Sequence, residues 1–233
     1  NKKILYNYLS NNNYDNLFNK KNIFQIYISP SLKHLGNRIK TKYNLKQELN
    51  NNNSAIFFGI YDINDYNTLI NFDGDKYIIF GGSEIDERTI SGIFMKNKIT
   101  SLKNNYFFAL SNCIQKRLNN YNIESEIIKF NLVDNDIFKP CEKLGNSIYI
   151  YDGLNKKEYT DIIYGKKYFD EVSKKLKNFN FIFSSDLKLE NKDMREIYKK
   201  CFIGLRLTEK DGNANTVQEF ESMNIPIIHN GSE

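Results

Sequence analysis

A chain of 233 residues can hold one large domain or two small ones, each with a real core, and 40% hydrophobic content with 14% aromatic residues excludes a disordered polymer. A formal net charge of +5 is only mildly basic; the lysines are dispersed and no aromatic-basic platform motif appears, so nucleic acid is not an expected partner. Cys113, Cys141 and Cys201 are too widely spaced for a zinc pattern or a disulfide framework, which points to reduced thiols, no metal, no cofactor and a cytoplasmic setting.

Taken in chain order, short apolar runs at 22–29, 55–62, 76–82, 106–111 and 125–133 read as strands. Amphipathic stretches at 32–49 and 112–122 read as helices between them. The asparagine runs, 50–53 among them, are expected to be solvated turns with little structural weight. Residues 134–146 carry a proline, a glycine and no clear period, and read as a linker. The alternation then restarts, with strands at 147–153, 179–185, 202–208 and 225–230 and helices at 164–177, 191–200 and 215–224. Continuous apolar strands separated by helices predict parallel sheets covered on both faces. The fold class expected is α/β, two Rossmann-like lobes facing a cleft, over 1–140 and 141–233. No apolar run approaches the roughly 18 residues of a membrane span, although peripheral membrane contact stays open.

In an open parallel sheet the ligand crevice lies beyond the C-terminal strand ends. That rule puts three segments on one rim: "YDGLNKK" after 147, "SSDL" at 184–187 and "RLTEKDGNAN" at 206–215. The last is bare of bulky side chains from Asp211 until Val217 and leads into a helix. Gly212, Asn213 and Ala214 would let backbone N–H groups approach an anion at the helix N-terminus, and a diphosphate fits that demand. Asn215 and Thr216 adjoin it at the helix start. Glu219, a turn further on, could accept two vicinal hydroxyls, and Asp211 could accept those of a second sugar. The same residues admit a structural reading: Thr216 with Glu219 fits a capping box, and Asp211–Gly212 is a common turn dipeptide.

"DGNANTVQEFESMNIPII" resembles the donor-binding signature of GT-B glycosyltransferases of the glycogen-synthase-like class, glycosyltransferase family 4. Asp211 stands where that family usually has Glu, Glu219 is the second acid, and Pro226 falls seven residues later. "FNLVDNDIFKP" is similar to the crossover by which these enzymes leave their first lobe, and the resemblance spans roughly 106–233. It implies a metal-independent, retaining transferase moving a sugar from a nucleotide-sugar donor to a carbohydrate or other hydroxyl acceptor, with no protein general base of the paired-carboxylate kind. Glu219 would hold the donor ribose, Asp211 the sugar hydroxyls, Gly212 to Ala214 the phosphates, and the backbone around Ser184 the base. The family's Arg after the glycine of the second lobe's first strand is missing: Leu154 follows Gly153, with Lys156 and Lys157 close behind and Lys166 and Lys167 beyond. Arg206 is the favoured replacement, since a charge inside a buried-strand pattern needs a partner.

In the first lobe the family's glycine-rich loop beside the diphosphate and acceptor would match "SPSLKHLGNRIK", carrying His34 and Gly36. "FGGSE" at 80–84 also ends a strand at the rim and reads as a turn, and His229 reads as structural. Family members continue with helices that return to the first lobe, so a short or truncated second lobe is expected. The rival to an enzyme is a non-catalytic nucleotide-sugar or glycan-binding module, motivated by that length and by the altered cations.

Overall fold

The computed structural model describes residues 23–85, 99–128, 130, 132–153, 163–187, 191–208, 212 and 214–230. Two compact units divide between Phe130 and Asn131, earlier than the division expected at 140. The cause is packing after that point. Val133 and Phe138 are buried with Tyr149 and Phe220, the Leu132 N–H donates to Gln218 Oε1 (3.1 Å), and the Cys141 N–H donates to the Met223 carbonyl (3.0 Å). The segment expected to be a linker is therefore docked on the second unit.

The first unit alternates β1 (Gln25–Ile28), α1 (Lys33–Lys42), β2 (Ala55–Phe58), α2 (Ile63–Ile70), β3 (Lys76–Phe80), β4 (Asn105–Ala109), α3 (Asn112–Asn119) and β5 (Glu126–Ile127). Its strands form one parallel sheet in the order β1-β2-β3-β4-β5. β2 and β3 are buried at every position, as continuous apolar strands should be when both sheet faces are covered. α2 starts at a capping box: Asp62 Oδ1 accepts from the N–H groups of Asn64 (2.8 Å) and Asp65 (2.9 Å), and Asp65 accepts from the Asp62 N–H (3.2 Å). Asp65 is itself fully buried and also accepts from the hydroxyls of Tyr27 and Ser29, both at 2.7 Å.

The second unit alternates β6 (Ser147–Ile150), α4 (Lys166–Lys175), β7 (Asn180–Phe183), α5 (Asn191–Tyr198), β8 (Cys201–Arg206), α6 (Asn215–Ser222) and β9 (Ile227–His229). The sheet is parallel in the order β7-β6-β8-β9. Period-two alternation splits β6 between two cores. Ile148 and Ile150 pack with Phe169 of α4 and Leu205, whereas Tyr149 packs with Tyr198 of α5 and with Phe220 and Met223 around α6. Helices thus cover both faces.

Asparagines outside the runs mark helix ends. The four described non-glycine residues with positive φ are Asn44, Asn104, Asn122 and Asn224. Three of them follow helices and are followed by a buried aliphatic residue: Leu45, Ile123 and Ile225. After α6 the Asn224 N–H bonds the Glu221 carbonyl and the Ile225 N–H the Phe220 carbonyl, both at 3.0 Å, the bonding of a Schellman motif. Asn44 and Leu45 repeat it after α1, bonding Thr41 (3.3 Å) and Lys40 (2.9 Å). α1 therefore stops at Lys42, well short of the helix expected to 49. The chain turns back so that Lys46 bridges β1 and Gln25 exchanges hydrogen bonds with the Asn50 backbone. Of the strand expected over 125–133, the described residues form strand at Glu126–Ile127.

Among the described residues no helix is long and apolar enough to cross a membrane, and no group of His, Cys, Asp and Glu could hold a metal ion.

Candidate functional site

The strand order of the second sheet locates its crevice. From β6 the chain crosses to β7 on one side, then returns to β8 on the other, so β6 and β8 are neighbours whose following loops diverge. A gap between diverging loops at such a switch point is where parallel sheets bind ligands. The residues there are Tyr151, Asp152 and Gly153 after β6, and Arg206, Leu207 and Thr208 at the end of β8.

Arg206 is half-buried, with its guanidinium carbon 3.9 Å from the ring centroid of Tyr151. Tyr151 meets Tyr164 edge-on at 5.4 Å and 80°. A planar cation stacked on a braced aromatic ring loses little freedom when it takes up an anion. Gly153 sits below this stack with φ of 95°, and a Cβ there would come within 2.7 Å of Tyr164 Cε2. Gly153→Ala therefore meets both backbone strain and a clash. It is expected to cost about 2 kcal/mol, read as a fall of roughly 4–8 °C in the thermal midpoint.

Ser184 is buried at 2% exposure and works within this corner. Its hydroxyl accepts from the Asp152 N–H (3.0 Å) and lies within donating distance of the Gly153 carbonyl (2.8 Å) and Asp152 Oδ1 (3.0 Å). Asp152 also accepts from the Ser185 N–H (2.8 Å) and hydroxyl (2.7 Å). The ends of β6 and β7 are thereby pinned together, which holds Gly153 in place beneath Tyr164.

Opposite lies the start of α6. Its N-cap is Ala214, which has no side-chain oxygen to offer the first turn. The N–H groups of Val217 and Gln218 bond back to the Ala214 carbonyl at 3.1 and 3.3 Å, while those of Asn215 and Thr216 have no partner among the described residues. Thr216 is thus one residue inside the helix and does not cap it, which removes the capping-box reading of Thr216 and Glu219. Two buried polar atoms flank the loop: Thr208 Oγ1, on a residue 4% exposed, and Asn215 Oδ1, both without a hydrogen-bond partner among the described residues. An orphaned buried hydroxyl or amide oxygen costs on the order of 1–3 kcal/mol unless a ligand or water answers it. Uncapped N–H groups at a helix start add a positive pole.

Glu219 is 3% exposed, and its Oε2 accepts from the hydroxyl of Tyr198 at 3.0 Å. Burial above all pushes the Tyr149 and Tyr198 phenols up, so both stay protonated.

The structure thus gathers Arg206, Gly153, Ser184, Ala214, Asn215, Thr216 and Glu219 in one unit, with Gly212 half-buried in the loop. Asp211, Asn213, Lys156 and Lys157 lie outside the described residues. Lys166 and Lys167 are exposed on the first turn of α4. His34 and Gly36 belong to the first unit and stand inside α1, not in a loop. Gly36 serves packing, since a Cβ there would be 2.3 Å from Ile28 Cγ2. Burial, and then repulsion from Arg38, lowers the pKa of His34 and favours its neutral form. His229 pairs with Arg206 across β8 and β9, a sheet position.

Sequence reasoning passed over Tyr149, Tyr151, Tyr198, Asp152 and Thr208. The alternation of "SIYIYDG" did announce two tyrosines on one strand face, but which tyrosine meets Glu219 or Arg206 is a matter of sheet order.

No protein-family model matches the chain, and no curated protein matches it in sequence. Among solved structures it is similar to a chain described as the Glycosylation Associate Protein (Gap123) complex from Streptococcus agalactiae, at 11% identity and a TM-score of 0.42. The match covers 82% of this chain and 45% of that one, so this chain spans less than half the length of the chain it matches. By its own architecture the protein is mixed α/β, with two parallel sheets flanked by helices.

Proposed function

We propose that the second unit binds a nucleotide-sugar and that the protein is a GT-B-type glycosyltransferase transferring the sugar to a hydroxyl acceptor. The observation that carries this reading is the corner at the β6–β8 switch point. A stacked Arg206, the uncapped start of α6 and the orphaned Thr208 Oγ1 and Asn215 Oδ1 all belong to the segments that bound it. A diphosphate takes up the donors, namely the guanidinium's planar fork, the helix amides and the Thr208 hydroxyl, and Asn215 Oδ1, an acceptor, is left for a hydroxyl of the nucleotide-sugar.

In the proposed reaction the bond from sugar C1 to the diphosphate oxygen breaks as the acceptor oxygen bonds to C1. The acceptor's proton passes to the departing phosphate oxygen, with retention of configuration. Arg206 and the α6 amides neutralise the charge that develops on the leaving group, the term that dominates for such departures. Glu219 accepts ribose hydroxyls and Asp211 those of the transferred sugar.

The test is a calorimetric and thermal-shift titration of the purified chain with UDP-, GDP- and ADP-glucose. At least one should bind and raise the thermal midpoint; at a hundred times its dissociation constant the stabilisation is about 2.7 kcal/mol. Binding by none of a full panel of nucleotide-sugars would overturn the reading.

A further inference from the structure

The buried pair formed by Tyr198 and Glu219 is unusual for a small core. Tyr198 closes α5, and its hydroxyl reaches across to α6 to meet Glu219 Oε2 at 3.0 Å, with both residues buried. The Tyr198 ring has no freedom to follow the carboxylate. It is held by Tyr149 edge-on (5.1 Å, 81°), by Phe220 (4.4 Å, 48°) and by Phe138 (6.0 Å, 34°). Tyr149, on the central strand β6, braces the Tyr198 ring from one side. A polar pair, Tyr198 with Glu219, therefore sits inside a core otherwise made of Val133, Phe138, Phe220 and Met223.

A stability role alone does not require such a pair, because a buried ionic or polar pair is often matched or bettered by apolar side chains of the same volume. What it does supply is position. A glutamate has three side-chain torsions, and tying one carboxylate oxygen to a ring wedged in the core removes most of that freedom before any ligand arrives.

We infer that Tyr198 is a positioning residue that aims the Glu219 carboxylate at the vicinal hydroxyls of the donor's ribose, with Tyr149 as its backing. This rests on the donor-binding reading of the same corner. Tyr198 touches no substrate; it acts through Glu219. Removing its hydroxyl keeps the ring and its packing, so binding should suffer more than folding.

The experiment is a double-mutant cycle on the full chain, with Tyr198→Phe, Glu219→Gln and both together, titrated with UDP-glucose, GDP-glucose and ADP-glucose. Tyr198→Phe is expected to weaken binding roughly tenfold, raising donor KM with kcat kept, and to add nothing once Glu219 is Gln. Tyr149→Leu, which takes away the edge-on ring but keeps both partners of the Tyr198–Glu219 bond, should give a smaller loss of roughly threefold in the same direction; it carries the test should Tyr198→Phe fail to fold. Losses from Tyr198→Phe and Glu219→Gln that multiply, or a wild-type dissociation constant in either tyrosine variant, would overturn the inference while leaving the donor site standing. Wild-type protein that binds none of a full panel of nucleotide-sugars would remove both.

Discussion

Asp65→Ala is expected to open the first unit, raising the exchange rates of β1 and β2 amides roughly a thousandfold. That corresponds to about 4 kcal/mol of lost local stability. The reason is the number of donors that converge on one fully buried carboxylate. The Tyr27 and Ser29 hydroxyls donate at 2.7 Å, the Tyr61 N–H at 2.7 Å and the Asp62 N–H at 3.2 Å. Removing the acceptor strands all four, and the resulting hole cannot collapse onto a sheet whose next strand is buried throughout. Burial, then the bond to Asp65, already holds the Tyr27 phenol far up its range, so Tyr27 cannot help by ionising. Hydrogen exchange followed by mass spectrometry reads this unit separately from the second; protection within threefold of the parent chain would contradict it.

Arg206→Ala is expected to weaken nucleotide-sugar binding by roughly 10²- to 10³-fold, because truncating a charged partner in a partly desolvated contact costs about 3–4 kcal/mol. Loss of the stack on Tyr151 at 3.9 Å, at the end of the strand, should cost folding about 1 kcal/mol. Arg206→Lys should recover only part of the affinity. An ammonium is a point charge and cannot offer the diphosphate a planar fork while lying on the ring. Calorimetry on the three proteins with the best donor of the panel decides it. Equal affinities would mean that the cation serves the fold, and the neutralising role would pass to the lysines around Gly153.

The alternation of strand and helix was legible because it depends on local patterning: "AIFF" is apolar throughout and "KYIIF" apolar or aromatic after its first residue, and each became an interior strand. The helix stops were legible too. "YNL", "YNI" and "MNI" each place an asparagine before an aliphatic residue, and each follows a helix with its asparagine in the left-handed region. Asparagine tolerates that region because its short polar side chain can bond locally, a property of the residue and independent of why the sequence is rich in it. The boundary at 130 was not legible, because nothing in "VDNDIFKP" says which core will bury its valine and phenylalanine.

What the sequence by itself determined is the kind of architecture, the bare loop before α6 and the acids and cation on its flanks, since these follow from side-chain volume and from period. Only the tertiary structure decided that Thr216 lies inside α6, that Gly36 packs a helix on a strand, and that Glu219 is buried against Tyr198, a tyrosine 21 positions away. Those outcomes depend on strand order. Placing β6 between β7 and β8 brings Tyr149 between α5 and α6 and sets Tyr151 under Arg206, and strand order is settled by how the whole sheet buries its two faces.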